Sequence, residues 1–124
     1  MQINKNYFKI LDIFFKTNPY AWEKKNKNKL FNKALIYLNK FHKKNCSQYK
    51  YILNGLNKNH TFEKLSESPF LPVEIFKSQN LISVDNKNIV KTLTSSGTTS
   101  NLKSKIFLDK TNSINQTRVL QKIL

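Results

Sequence analysis

The densest concentration of chemically useful side chains is Thr94-Ser95-Ser96-Gly97-Thr98-Thr99-Ser100-Asn101-Leu102-Lys103-Ser104-Lys105. Of the thirteen residues from Leu93 to Lys105, seven carry a hydroxyl, and Lys103 and Lys105 close the run. Hydroxyls and free backbone N–H groups gathered in one loop form a nest of donors that suits an oligo-anion such as a chain of phosphates. Gly97 permits close approach because it has no Cβ. A lysine ammonium adds a mobile positive charge for the outer oxygens. The run is not a Walker A loop, which needs two glycines and then Lys-Ser/Thr at fixed spacing; the whole chain has only Gly55 and Gly97. Composition by itself favours an ordinary hydroxylated surface turn. The order of the residues shifts that balance, as developed below.

Other chemistries find little support. A single cysteine, Cys46, cannot build a disulfide framework, and no Cys/His cluster has zinc-ligand spacing. Cys46 therefore reads as a structural or incidental thiol. His42 and His60 stand alone beside lysines, as surface or capping groups rather than general bases. The seven acids include no pair spaced for acid/base work or metal binding. No catalytic residue and no metal ligand is assigned.

The net charge of +15 resembles a nucleic-acid signature. Yet 21 of the 22 basic residues are lysine, Arg118 being the exception, and 17 asparagines accompany them. Joint enrichment of Lys and Asn is what codon bias in an AT-rich genome gives. Readers of phosphate and base edges lean on arginine's bidentate fork, which this chain nearly lacks. A solvated basic surface is the better reading, and nucleic acid is disfavoured as a partner. No run is long and apolar enough to span a bilayer, and lysines interrupt the N-terminal apolar stretch, which fits a signal peptide poorly. The expected setting is cytoplasmic.

The elements that must position the loop follow from spacing. Tyr7, Ile10, Leu11, Phe14 and Phe15 form one stripe of a helix that Thr17-Asn18-Pro19 ends. Phe31, Ala34, Leu35, Leu38 and Phe41 predict a second helix over about residues 28–44. A third begins near Tyr49 and stops at Asn54-Gly55. Pro69 and Pro72 enforce an extended or turning path, with a short helix following through Glu74–Lys77. Residues 81–84 and 89–94 are β-compatible, and Asp85-Asn86-Lys87-Asn88 between them predicts a hairpin. Lys105-Ile106-Phe107-Leu108 is a further strand. Thr111–Leu124 is an amphipathic helix, for which Thr111 or Asn112 would be the cap. Late strands and an uncapped apolar end make the chain look like part of a larger domain.

Ser95-Ser96-Gly97-Thr98-Thr99-Ser100-x-Leu102-Lys103 resembles the phosphate-binding signature of the adenylate-forming enzymes (acyl-CoA synthetases, luciferases and relatives). The surroundings narrow the likeness. Pro69-Phe70-Leu71-Pro72-Val73-x-x-Phe76-Lys77, Leu81-x-Ser83-Val84, Lys91-Thr92-Leu93-Thr94 and Ser104-Lys105-Ile106-x-Leu108-Asp109 together resemble the LuxE-type acyl-protein synthetases. His42-x-x-Asn45-x-x-x-Tyr49 is similar to that family's helical N-terminal region. The resemblance runs over about residues 28–124.

The resemblance implies an α/β enzyme domain, α+β in this portion. Residues 1–66 would be a helical region, and residues 67–124 the start of the nucleotide-binding region, with a hairpin, a further strand and a C-terminal helix. It implies ATP-dependent activation of a long-chain fatty acid to an acyl-adenylate, with ATP and Mg²⁺, and transfer of the acyl group to a protein thiol. Ser95, Ser96, Thr98, Thr99 and Ser100 would donate to phosphate, Gly97 would permit the approach, and Lys103 or Lys105 would neutralise charge. Ser100 stands where family members have Gly. The adenine- and ribose-binding segments and the acceptor cysteine of the family would lie beyond Leu124, and Cys46 does not match that cysteine. The implied partners are therefore an acyl-acceptor protein or a complementing C-terminal chain, and the portion alone is expected to be inactive. A basic module for nucleic acid or anionic surfaces, and a non-functional gene remnant, remain the alternatives.

Overall fold

The computed structural model describes residues 5–18, 20–56, 62, 64–96 and 102–123, with side chains described from Lys9 onward. Helices α1 (Lys5–Lys16), α2 (Lys24–Asn45) and α3 (Ser47–Gly55) form the first half. The short helix α4 (Ile75–Ser78), strands β1 (Ile89–Thr94) and β2 (Lys105–Asp109) and helix α5 (Lys110–Ile123) form the second. The mixed α+β class agrees with the expectation from sequence.

The helical half packs through the stripes that define it. Ile10 of α1 and Ala34 of α2 are buried, and Phe14 meets Trp22, with ring centroids 5.8 Å apart. Thr17 closes α1, its N–H and its hydroxyl both donating to the Ile13 carbonyl. Cys46 separates α2 from α3 with extended backbone. Its N–H donates to the His42 carbonyl at 2.8 Å, and its sulfur accepts the Tyr49 N–H at 3.4 Å. The thiol thus serves as the N-cap of α3, a buried structural role. Leu53 has no exposed surface, and Phe62 is also buried.

β1 and β2 pair antiparallel, from Ile89 opposite Asp109 to Thr94 opposite Lys105, with one irregularity at Val90. The hairpin therefore differs from the one expected. Residues 81–84 join no ladder; Asp85 accepts the Asn88 N–H at 2.8 Å and the chain makes one 3₁₀ turn before β1 begins. β1 instead pairs with β2, so the hairpin's connection is the hydroxylated run itself. The cap of α5 also differs: Asp109 Oδ1 accepts the Asn112 N–H at 2.8 Å, so the last residue of β2 caps the helix in place of Thr111 or Asn112. α5 packs on both strands, and Arg118 lies over the Phe15 ring at 5.5 Å, joining α5 to α1.

Leu53 tests this core. Leu53→Ala should lower unfolding stability by about 2–5 kcal/mol, measured by urea denaturation. A loss under about 1 kcal/mol would mean that the site is not packed as described.

Candidate functional site

The hairpin gives the hydroxylated run a defined mouth. Beyond the last ladder pair, Thr94 and Lys105, the Ser95 N–H donates to the Ser104 carbonyl at 3.1 Å. The Ser104 N–H donates to the Ser95 hydroxyl oxygen at 3.0 Å. Ser95 and Ser104 thus clasp the two arms where the strands end. Ser96 and Lys103 follow immediately outside the clasp, one on each arm, and both are exposed. Lys105 lies one step inside it and is also exposed. Of the residues proposed to hold phosphate, Ser95, Ser96, Lys103 and Lys105 are therefore brought to one end of the hairpin. Gly97, Thr98, Thr99 and Ser100 lie outside the described residues.

The clasp alters the chemistry open to Ser95. Its oxygen already accepts a backbone N–H, while its own O–H proton is left to donate. A phosphate oxygen could receive that proton without breaking the clasp. The stretch from Ser95 to Lys105 contains no carboxylate. Its donor set therefore favours anions, and a hard divalent cation would find neutral hydroxyl and carbonyl oxygens there rather than carboxylates. Among the described residues, no group of three or more His, Cys, Asp or Glu could hold a metal ion.

A second polar cluster was not anticipated from sequence. His42 Nδ1 lies 2.7 Å from the Ser83 hydroxyl, 41 residues away in the chain. The imidazole is half-buried rather than a surface group, with its ring edge-on to Phe41 and Tyr49 at 5.5 and 6.1 Å. Tyr49 donates its hydroxyl to Asn39 Oδ1 at 2.8 Å, and Asn39 is buried. Burial lowers the His42 pKa below its ordinary value. Burial, and secondarily the electrostatic influence of nearby Cys46, raises that of the Tyr49 phenol. The cluster ties α2 and α3 to the segment that leads into β1. The available signal was that His42 and Ser83 both belong to segments with family likeness; their separation hid the contact.

The family model described as "Acyl-protein synthetase, LuxE" matches residues 2–124. A long-chain-fatty-acid–luciferin-component ligase of Vibrio harveyi is 28% identical over 99 residues, which cover 80% of this chain and 26% of that relative. A ligase of the same name from Photorhabdus luminescens is 24% identical over 99 residues, covering 80% of this chain and 84% of that relative. The matched region thus spans about a quarter of the Vibrio harveyi protein. No solved structure matches. Among the described residues, no helix is long and apolar enough to cross a membrane.

Two measurements test the geometry. Replacing Ser95 with Ala removes the acceptor for the Ser104 N–H; its amide exchange should quicken about fivefold, the loss of one hydrogen bond worth about 1 kcal/mol. Unchanged exchange would place no clasp there. For His42, the unfolded chain binds its proton near the ordinary value of about 6.5 and the folded chain only at lower pH. Stability from neutral His42 is then complete above that value and declines as pH falls below it. Chemical denaturation from pH 7.5 to 5.5 should show this decline, and His42→Gln should flatten it; equal slopes in both proteins would contradict the burial of His42.

On the match of the LuxE model to nearly its whole length, this chain belongs to the LuxE family of acyl-protein synthetases.

Proposed function

We propose that this chain supplies the phosphate-binding segment of an ATP-dependent synthetase that activates a long-chain fatty acid for transfer to a protein thiol. The observation that carries the reading is the clasp between Ser95 and Ser104. It gives a loop of hydroxyls a fixed mouth, with Lys103 and Lys105 at the same end. The printed names of the relatives, both ligases for a long-chain fatty acid, support the substrate class.

In this reading Ser95 and Ser96 donate to terminal phosphate oxygens, together with Gly97, Thr98, Thr99 and Ser100 from the rest of the loop. Lys103 or Lys105 offsets charge that builds on the departing pyrophosphate as the carboxylate attacks the α-phosphate. Mg²⁺ would supply further neutralisation of the phosphate chain. With no carboxylate in the loop, the ion would arrive with the nucleotide, and Ser95–Lys105 could offer it only neutral oxygens. Ser95 keeps its position through the clasp, and so presents its proton without reorganising. The groups that receive adenine and ribose, and the thiol that accepts the acyl group, would come from sequence of the kind that the Vibrio harveyi relative carries outside the matched quarter, or from a complementing chain.

Titration of the 124-residue chain with MgATP tests the reading. Saturable binding is expected, and Lys103→Gln/Lys105→Gln should weaken it about tenfold, as expected for loss of charge-assisted contacts. Both lysines are exposed, so the unfolding midpoint should not move. No binding, or equal binding by the variant, would overturn the phosphate assignment. Fatty-acid-dependent pyrophosphate exchange by this chain alone would overturn the view that its site is incomplete.

A further inference from the structure

A groove of about 540 Å³ lies between α1 and α2. Its apolar lining comes from Ile10 and Ile13 on α1 and from Leu30 and Ile36 on α2. Lys9 stands on the α1 wall, and Lys33 and Lys40 on the α2 wall, with Tyr37 between the latter two. No carboxylate lines it. The charge is one-sided well beyond the groove. Residues 5–45 hold eleven lysines against Asp12 and Glu23.

An apolar floor with a cationic rim selects a ligand with two parts, an aliphatic body and an anionic head. The size narrows the choice. Lys33 and Lys40 are seven residues apart, about 10 Å along the helix axis. A stable protein partner needs about 20–30 residues on each side, whereas eight residues line this groove. Its volume instead falls within the range of about 300–1,000 Å³ that holds one small ligand. A compact phosphate would leave the four aliphatic side chains without a partner, and a neutral hydrocarbon would leave the ammonium groups without one.

We infer that the α1–α2 groove binds a single unbranched aliphatic carboxylate, with its chain along the Ile10, Ile13 and Ile36 surface and its head between Lys33 and Lys40. The groove would hold the carboxylate substrate of the proposed reaction, and to that extent the inference rests on that reading. Binding to the groove needs neither nucleotide nor turnover, so the two can fail separately.

Calorimetric titration of the 124-residue chain, without ATP, uses decanoate below its micelle-forming concentration, with decylammonium and acetate for comparison. Saturable one-to-one binding of decanoate is expected, with acetate and decylammonium at least about tenfold weaker because each lacks one of the two complementary parts. Lys33→Gln/Lys40→Gln should weaken decanoate about tenfold, and Lys24→Gln/Lys25→Gln, outside the groove, should not. Ile13→Asn should also weaken it; with Ile13 already 42% exposed, the unfolding midpoint should stay in place. Equal affinity for decylammonium, equal loss in the two lysine variants, or adsorption to phosphatidylglycerol vesicles with no binding of free decanoate would each overturn the assignment. The ligand comparison uses the unaltered chain, so it decides the matter even where a variant folds poorly.

Discussion

The pairing of β1 with β2 is the constraint on which the second half depends. Five cross-strand pairs set the register, and Ser95 and Ser104 extend it by one further pair of bonds in which a side chain takes the place of a backbone carbonyl. That substitution ends the ladder, because a hydroxyl acceptor cannot propagate sheet geometry to the next residue. The hydroxylated loop therefore starts where the sheet is made to stop. Asp109 performs the corresponding task at the other end of β2, turning the strand directly into α5 through its side-chain cap.

Among the described residues, the helical half meets the second half through contacts of varied chemistry. His42 holds Ser83 by one hydrogen bond, and Arg118 holds Phe15 through its ring face. The only arginine of the chain occupies the latter position. A guanidinium stacks on an aromatic face while staying hydrated at its edges, which a lysine does less well. In a sequence whose other cations are all lysine, this is a residue whose type has a structural reason. The His42 contact is different in kind, a hydrogen bond to a half-buried imidazole whose pKa is lowered by burial.

Much of the fold was legible where periodicity was strong. The Ile10–Phe15 stripe, the long run around Ala34 and Leu38, and the β-compatible residues 89–94 each became the expected element, because local spacing and burial point the same way there. The strand pairing was not legible. Asp85-Asn86-Lys87-Asn88 has turn-forming composition and does turn, but one 3₁₀ turn gives residues 81–84 no reason to fold back onto β1. Composition fixes that a chain bends, and only tertiary packing decides what it bends towards. At the site, residue order was enough to mark Ser95–Lys105 as a candidate, whereas the clasp required knowing that Ser104, nine residues on, lies opposite Ser95. His42 and Ser83 were hidden for the same reason, over a greater distance.

α5 leaves Ile114, Val119, Leu120 and Ile123 each 40% or more exposed, on a molecule of net charge +15. These two features act against each other in solution. Like charge keeps copies apart over roughly a Debye length, about 30 Å at 10 mM salt and about 8 Å at physiological strength. As ions are added that repulsion contracts, while the attraction between greasy strips does not. The buffer should therefore matter to how copies of this polypeptide meet: dilute electrolyte lets their like charge hold them apart, and concentrated electrolyte leaves the apolar side chains of α5 less shielded from one another.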